Sequence, residues 1–145
     1  MEPGGLALPI TAVITASSRT AENIHGLEQE IENIPTVLTL IRTEILTMVG
    51  SLRRLETTLT DRPKLLQSRF QSDDEGLEIF DGALTDCMTV ISCIEFELER
   101  LFNNDSMTWA TAFRYLWSES NVKDLQQHLN GQRGALQLLL QSLEV

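Results

Sequence analysis

The chain has 145 residues, 42% of them hydrophobic and 6% aromatic, with a formal net charge of −10 at pH 7. That length fits one domain with a real core, and that hydrophobic share excludes a disordered tail. The acidity sets the surface against phosphate backbones, so no nucleic-acid partner is expected.

Aliphatic residues recur at alternating three- and four-residue steps in four stretches, which places each set on one stripe of an α-helix. Residues 1–8, beginning Met-Glu-Pro-Gly-Gly, read as a flexible lead-in. No basic region precedes the first apolar residues, and Glu2 is the first charge, so no secretory leader is expected.

A first helix is expected over about 9–32, with Pro9 in its first turn, where a missing N–H does no harm, and with strain at Gly26. Its stripe is Ile10, Val13, Ser17, Thr20, Ile24, Leu27 and Ile31. Two polar members make it the most polar of the four, so it is expected to pack least tightly. Residues 3–18 carry no charge. Within and beside them, Leu6, Leu8, Ile10, Val13 and Ile14 form a candidate membrane-insertion segment. The competing reading is an ordinary first helix of a bundle. No apolar run reaches the roughly 20 residues that a spanning helix needs.

Pro35 disfavours helix at Ile34 and suits the first position of a second helix over about 35–59. Its stripe is Leu38, Ile41, Ile45, Met48, Leu52, Leu55 and Leu59. The short connection predicts an antiparallel hairpin with the first helix. Residues 60–72 are polar, broken by Pro63, and read as a loop.

Ser72 and Glu75 have capping-box spacing and predict a third helix over about 73–102. Its stripe is the cleanest: Leu77, Phe80, Leu84, Cys87, Ile91, Ile94, Leu98 and Leu101. A short helix over about 107–117 would present Trp109, Phe113 and Trp117 on one face, buried against the bundle. Ser118 or Ser120 can cap a last helix over about 121–143, with Val122, Leu125, Leu129, Gln132, Leu136, Leu139 and Leu143 on its stripe, one member polar, and Gly131 and Gly134 weakening its middle. The expected fold is one all-α domain over residues 1–145, a four-to-five-helix bundle, mostly antiparallel.

Charge is segregated along the chain. Residues 42–69 hold Arg42, Arg53, Arg54, Arg62, Lys64 and Arg69 against Glu44, Glu56 and Asp61. Residues 70–105 hold ten acids against Arg100 alone. Glu95, Glu97 and Glu99 on the third helix form a candidate partner face for a basic surface.

Catalytic, cofactor and metal sites are not expected. The run Asp73-Asp74-Glu75 lacks calcium-loop spacing, since the sixth and twelfth residues counted from Asp73 are Glu78 and Leu84. Glu22 and His25 have the Glu-x-x-His spacing of half a di-iron site, but Leu125 stands where His128 would need a second Glu. No Gly-Lys pair exists to build a phosphate loop. Cys87 and Cys93 lie on different faces of one helix, about 9 Å of rise apart, and cannot pair within it. Without a disulfide framework a reducing, cytoplasmic setting is expected.

The order of features carries a family resemblance. A small-residue N-terminal helix, Leu8-Pro-Ile-Thr-Ala-Val-Ile-Thr-Ala-Ser, is followed by Ile31-Glu-Asn-Ile-Pro and Leu38-Thr-Leu-Ile-Arg-Thr-Glu-Ile-Leu, leading to Leu52-Arg-Arg-Leu-Glu. Then come Cys93-Ile-Glu-Phe-Glu-Leu-Glu-Arg-Leu, a short Trp-containing segment, and a closing helix with Leu125, Leu129 and Leu136. This resembles the fungal N-terminal domain of STAND NTPases, the HeLo-like group, over nearly the whole chain. The resemblance implies a helical signalling or effector domain, without enzymatic activity, at the head of an NLR-like receptor. It implies self-association and membrane targeting on activation in regulated cell death, a role it would place on residues 6–18. A soluble adaptor bundle that binds a protein partner through its acidic helix is the competing reading.

Overall fold

A computed structural model describes residues 10–30, 36–62, 74–102 and 119–144. They form four helices: α1 (Ile10–Glu30), α2 (Thr36–Asp61), α3 (Asp74–Phe102) and α4 (Glu119–Glu144). The chain is all-α among the described residues, as the four stripes require. The lead-in, Pro9, Ile31, Pro35, Ser72 and the Trp109–Phe113–Trp117 stretch lie outside them.

Each helix buries the stripe that its spacing dictates. In α2, Leu38, Ile41, Ile45, Met48, Leu52 and Leu55 are wholly buried. In α3 the same holds for Phe80, Leu84, Cys87, Ile91 and Ile94. In α4, Leu129, Leu136 and Leu140 are buried, while Leu125 and Leu139 are half-buried against the core. In α1, Val13, Ser17, Thr20 and Ile24 are all inaccessible. Each fully buried aliphatic or aromatic side chain contributes about 1.5–3 kcal/mol, so these stripes hold the helices together.

The helices pack as a closed ring. α1 lies against α2 and α3, and α4 lies against the same two. The diagonal pairs, α1 with α4 and α2 with α3, meet only weakly. Two contacts fix the α1–α2 pair as antiparallel: Thr11 near the start of α1 reaches Glu56 near the end of α2, and Glu28 near the end of α1 reaches Arg42 near the start of α2. The α1–α2 and α2–α4 seams are the more extensive, and both seams of α3 are thinner.

Several sequence expectations shift here. α1 continues through Gly26 without a break, and α4 does the same through Gly131 and Gly134. The α1 stripe is not loosely packed against α2, because its two polar members are inaccessible and its apolar members join one core. α4 begins at Glu119, so Ser120 sits inside its first turn rather than before it.

Candidate functional site

The polar members of the α1 stripe meet α3 at one place. Thr20 projects toward α3 because it holds a core position, and a buried hydroxyl needs a partner. Its Oγ1 lies 2.8 Å from Glu95 Oε1 and 2.9 Å from the carbonyl of Ala16, four residues back. One hydrogen is shared between these acceptors. Arg19, one residue earlier and largely exposed, donates from Nη2 at 2.9 Å and from Nε at 3.3 Å to the same Glu95 oxygen. One half-buried carboxylate thus gathers three donors from α1. Ser17, one turn away, is different: its hydroxyl is buried and has no hydrogen-bond partner.

The other helix pairs have their own clasps. Thr11 Oγ1 donates to Glu56 at 2.8 Å, and Arg42 Nε pairs with Glu28 at 2.8 Å across α1 and α2. His25 lies 3.8 Å from the same Glu28. Between α2 and α4, Arg133 Nη1 lies 3.3 Å from Glu44 and donates a hydrogen bond to its Oε1. Glu44 Oε2 is buried and makes no hydrogen bond.

The residues read from sequence as membrane-seeking are part of this packing. Ile10, Val13 and Ile14 all belong to the core, with Val13 wholly inaccessible. Leu6 and Leu8 lie outside the described residues. No helix among the described residues is long and apolar enough to cross a membrane.

The three acids of the candidate partner face do not share one face. Glu95 turns to α1 and binds Arg19 and Thr20. Glu97 is half-buried and pairs with Arg100 at 3.3 Å. Glu99 is exposed. Positions two apart on a helix point to different sides, which sets Glu97 apart from Glu95 and Glu99, whereas those two, four apart, lie on one side a turn from each other.

Among the described residues, no three His, Cys, Asp or Glu side chains are placed to hold a metal ion. Cys87 and Cys93 are both free thiols. Burial, and secondarily the neighbouring Asp86 carboxylate, pushes the Cys87 thiol up from 9.0 to about 12. It is an inert core residue, whereas Cys93 is exposed.

Spacing placed Thr20 on the stripe that α1 buries, and in the sequence this told only that the stripe is polar there. It did not reveal that Glu95 supplies an acceptor, because that depends on how α1 and α3 slide past one another. Compared with family models, curated proteins and solved structures, the chain matches none.

Proposed function

We propose that this bundle is a non-enzymatic signalling domain that works by self-association, as the effector end of a fungal STAND/NLR-like receptor in regulated cell death. The observation that carries this reading is the division of its surface. Arg53, Arg42 with its partner Glu28 close by, His25 and Glu22 share a groove between α1 and α2, while the exposed acids Asp86 and Glu99 lie on opposite flanks of α3, and α2 and α3 expose large apolar side chains at Leu40, Leu46 and Phe96. A surface with opposite charges beside apolar residues on separate helices suits contact between copies.

A membrane step would have to draw α1 out of the core, since Ile10, Val13 and Ile14 are buried. Releasing three such side chains costs several kcal/mol, so the trigger must be strong. Once free, α1 would lie in the lipid interface rather than span it.

The test is sedimentation of residues 1–145 over a wide concentration range, run beside dye release from liposomes of mixed neutral and anionic lipid. Concentration-dependent assembly is expected, with release confined to assembled fractions. A chain that stays monomeric at every concentration would overturn the self-association. Assembly without release would leave a signalling scaffold and remove the membrane step. A complex with a basic protein partner that dissolves as salt rises would favour the adaptor reading.

A further inference from the structure

Self-association, on which this inference rests, can close on itself only through a surface that tolerates its own copy. A two-fold contact sets a surface against itself, so a net charge there repels. In a chain with a net charge of −10, much of the outside is unsuited to this. Glu78, Asp86 and Glu99 stand exposed on α3, and Arg19 and Glu22 on α1.

The side formed by α2 and α4 is different. Residues 36–50 of α2 carry only the charges of Arg42 and Glu44, and residues 125–141 of α4 only that of Arg133, with His128 neutral. All three are engaged, Arg42 with Glu28 at 2.8 Å and Glu44 with Arg133 at 3.3 Å. No exposed residue in either stretch carries a formal charge.

The Glu44–Arg133 pair lies near the middle of both stretches and ties two rows of side chains together. Leu40 and Thr47 flank Glu44 on one side of α2, and Asn130, Gln137 and Gln141 follow Arg133 on one side of α4, all of them exposed. Leu138 borders the second row. It is 67% exposed and Leu40 50%, so two of the four large apolar side chains exposed among the described residues edge this seam.

These rows can be buried against a copy without leaving groups unpaired. Thr43 and Thr47 already donate their hydroxyls to carbonyls four residues back, at 3.0 Å each. Asn130 Oδ1 accepts from Arg133 at 2.6 Å, which leaves its NH2 group as a donor. A glutamine amide carries both donor and acceptor, so a row of amides is complementary to itself.

The area is sufficient. The two stretches run for about 22–25 Å, and two packed helices are about 20 Å across. That is about 450 Å² in projection and more in accessible surface, the order of the roughly 800 Å² that each partner of a standard complex buries.

We propose that two copies pair through their α2–α4 sides about a two-fold axis, covering Leu40 and Leu138 and setting the amide row of α4 against the same side of the second copy. An isologous contact uses up the surface that makes it, so the product is a closed dimer. α3 stands diagonal to α2 in the ring, and its exposed acids lie off the contact.

Sedimentation equilibrium of residues 1–145 at rising salt tests this. A dimer and nothing larger is expected. Its dissociation constant should fall as sodium chloride rises from about 50 mM to about 500 mM, because salt screens the repulsion between two acidic bodies and takes nothing from an uncharged contact. Leu138→Lys and Gln137→Lys, at exposed positions and first checked for unchanged thermal melts, should each raise the dissociation constant at least about tenfold, since the axis brings the new charge to both sides of the contact. Lysine lowers the net negative charge, so such a loss comes from the contact itself. Phe96→Lys, on α3, makes the same change of charge and should leave the dimer intact. Dimers indifferent to Leu138→Lys and Gln137→Lys would put the contact elsewhere while self-association stands. A dimer that weakens as salt rises would move the contact to the charged sides and overturn this one. Growth beyond a dimer would rule out the two-fold closure. A wild type that remains monomeric at every concentration overturns both readings together.

Discussion

Thr20 and Glu95, 75 positions apart in sequence, meet across the α1–α3 seam with the Thr20 hydroxyl 2.8 Å from the carboxylate. The same oxygen receives Arg19 at 2.9 Å. This is the one place where the polar part of the α1 stripe becomes a bond to a neighbouring helix rather than a defect. Glu95→Ala removes both links but leaves Thr20 its bond to Ala16. Arg19 is largely exposed, so its share is screened and small. We expect a loss of about 1 kcal/mol in urea unfolding, with Glu95→Gln retaining most of it. An Ala variant with the wild-type midpoint would show that the seam does not depend on this carboxylate.

Ser17 offers the opposite test. Its buried hydroxyl has no partner, and such a group costs about 1–3 kcal/mol. Ser17→Ala should raise the melting temperature. A drop would mean that the hydroxyl finds a partner, such as the carbonyl of Val13, in solution.

The sequence places Val13 both on the buried stripe of α1 and in the candidate membrane-insertion segment, and in this fold it is core. It is wholly inaccessible, so Val13→Asp buries a carboxylate without a counter-charge. We expect collapse of amide dispersion in the NMR spectrum. A well-dispersed spectrum at wild-type stability would show that α1 is not docked at this level.

Gly26 and Gly131 are helical, exposed and open around the missing side chain. Gly26→Ala and Gly131→Ala should each add about 0.5–1 kcal/mol by favouring the helix over the unfolded chain. Calorimetry on the single variants and the pair checks this, and because the sites are on different helices the two gains should add.

Cys87 sets an alkaline limit. Its thiol titrates near 9.0 when unfolded and at about 12 in the core. Folding therefore favours the protonated form. Its contribution is fully present below pH 9.0 and is lost as pH rises toward 12. Across that window this single group should lower stability by up to about 1.4 kcal/mol per pH unit. Cys87→Ala should flatten the decline, although it is less stable at neutral pH. A thiol reagent should modify Cys93 in the native state and reach Cys87 only on unfolding.

The fold was legible because spacing alone dictates which side of a helix is buried. The stripes through Leu38 to Leu55 and Phe80 to Leu98 needed no further information. The site was less legible. The sequence grouped Glu95, Glu97 and Glu99 by charge, but helical rotation turns Glu97 away from the other two to pair with Arg100, and of the two that lie one turn apart only Glu95 meets Arg19 while Glu99 is exposed. Ser17 and Thr20 were visible as polar members of an apolar stripe, yet only the relative placement of two helices decides that one finds an acceptor and the other does not.

The ring order of the helices also governs how the chain reaches its final form. α1 and α2 are consecutive and share an extensive seam, so their pairing closes a short loop at little entropic cost. α3 starts at the far corner from α2 and must find α1 across a long stretch of chain, with thinner seams to reward it. We expect its docking to come late on the folding route. Loosening the clasp at Glu95 should then hasten unfolding and leave the folding rate nearly unchanged, which makes α3, more than α1, the timekeeper of how long the closed ring persists.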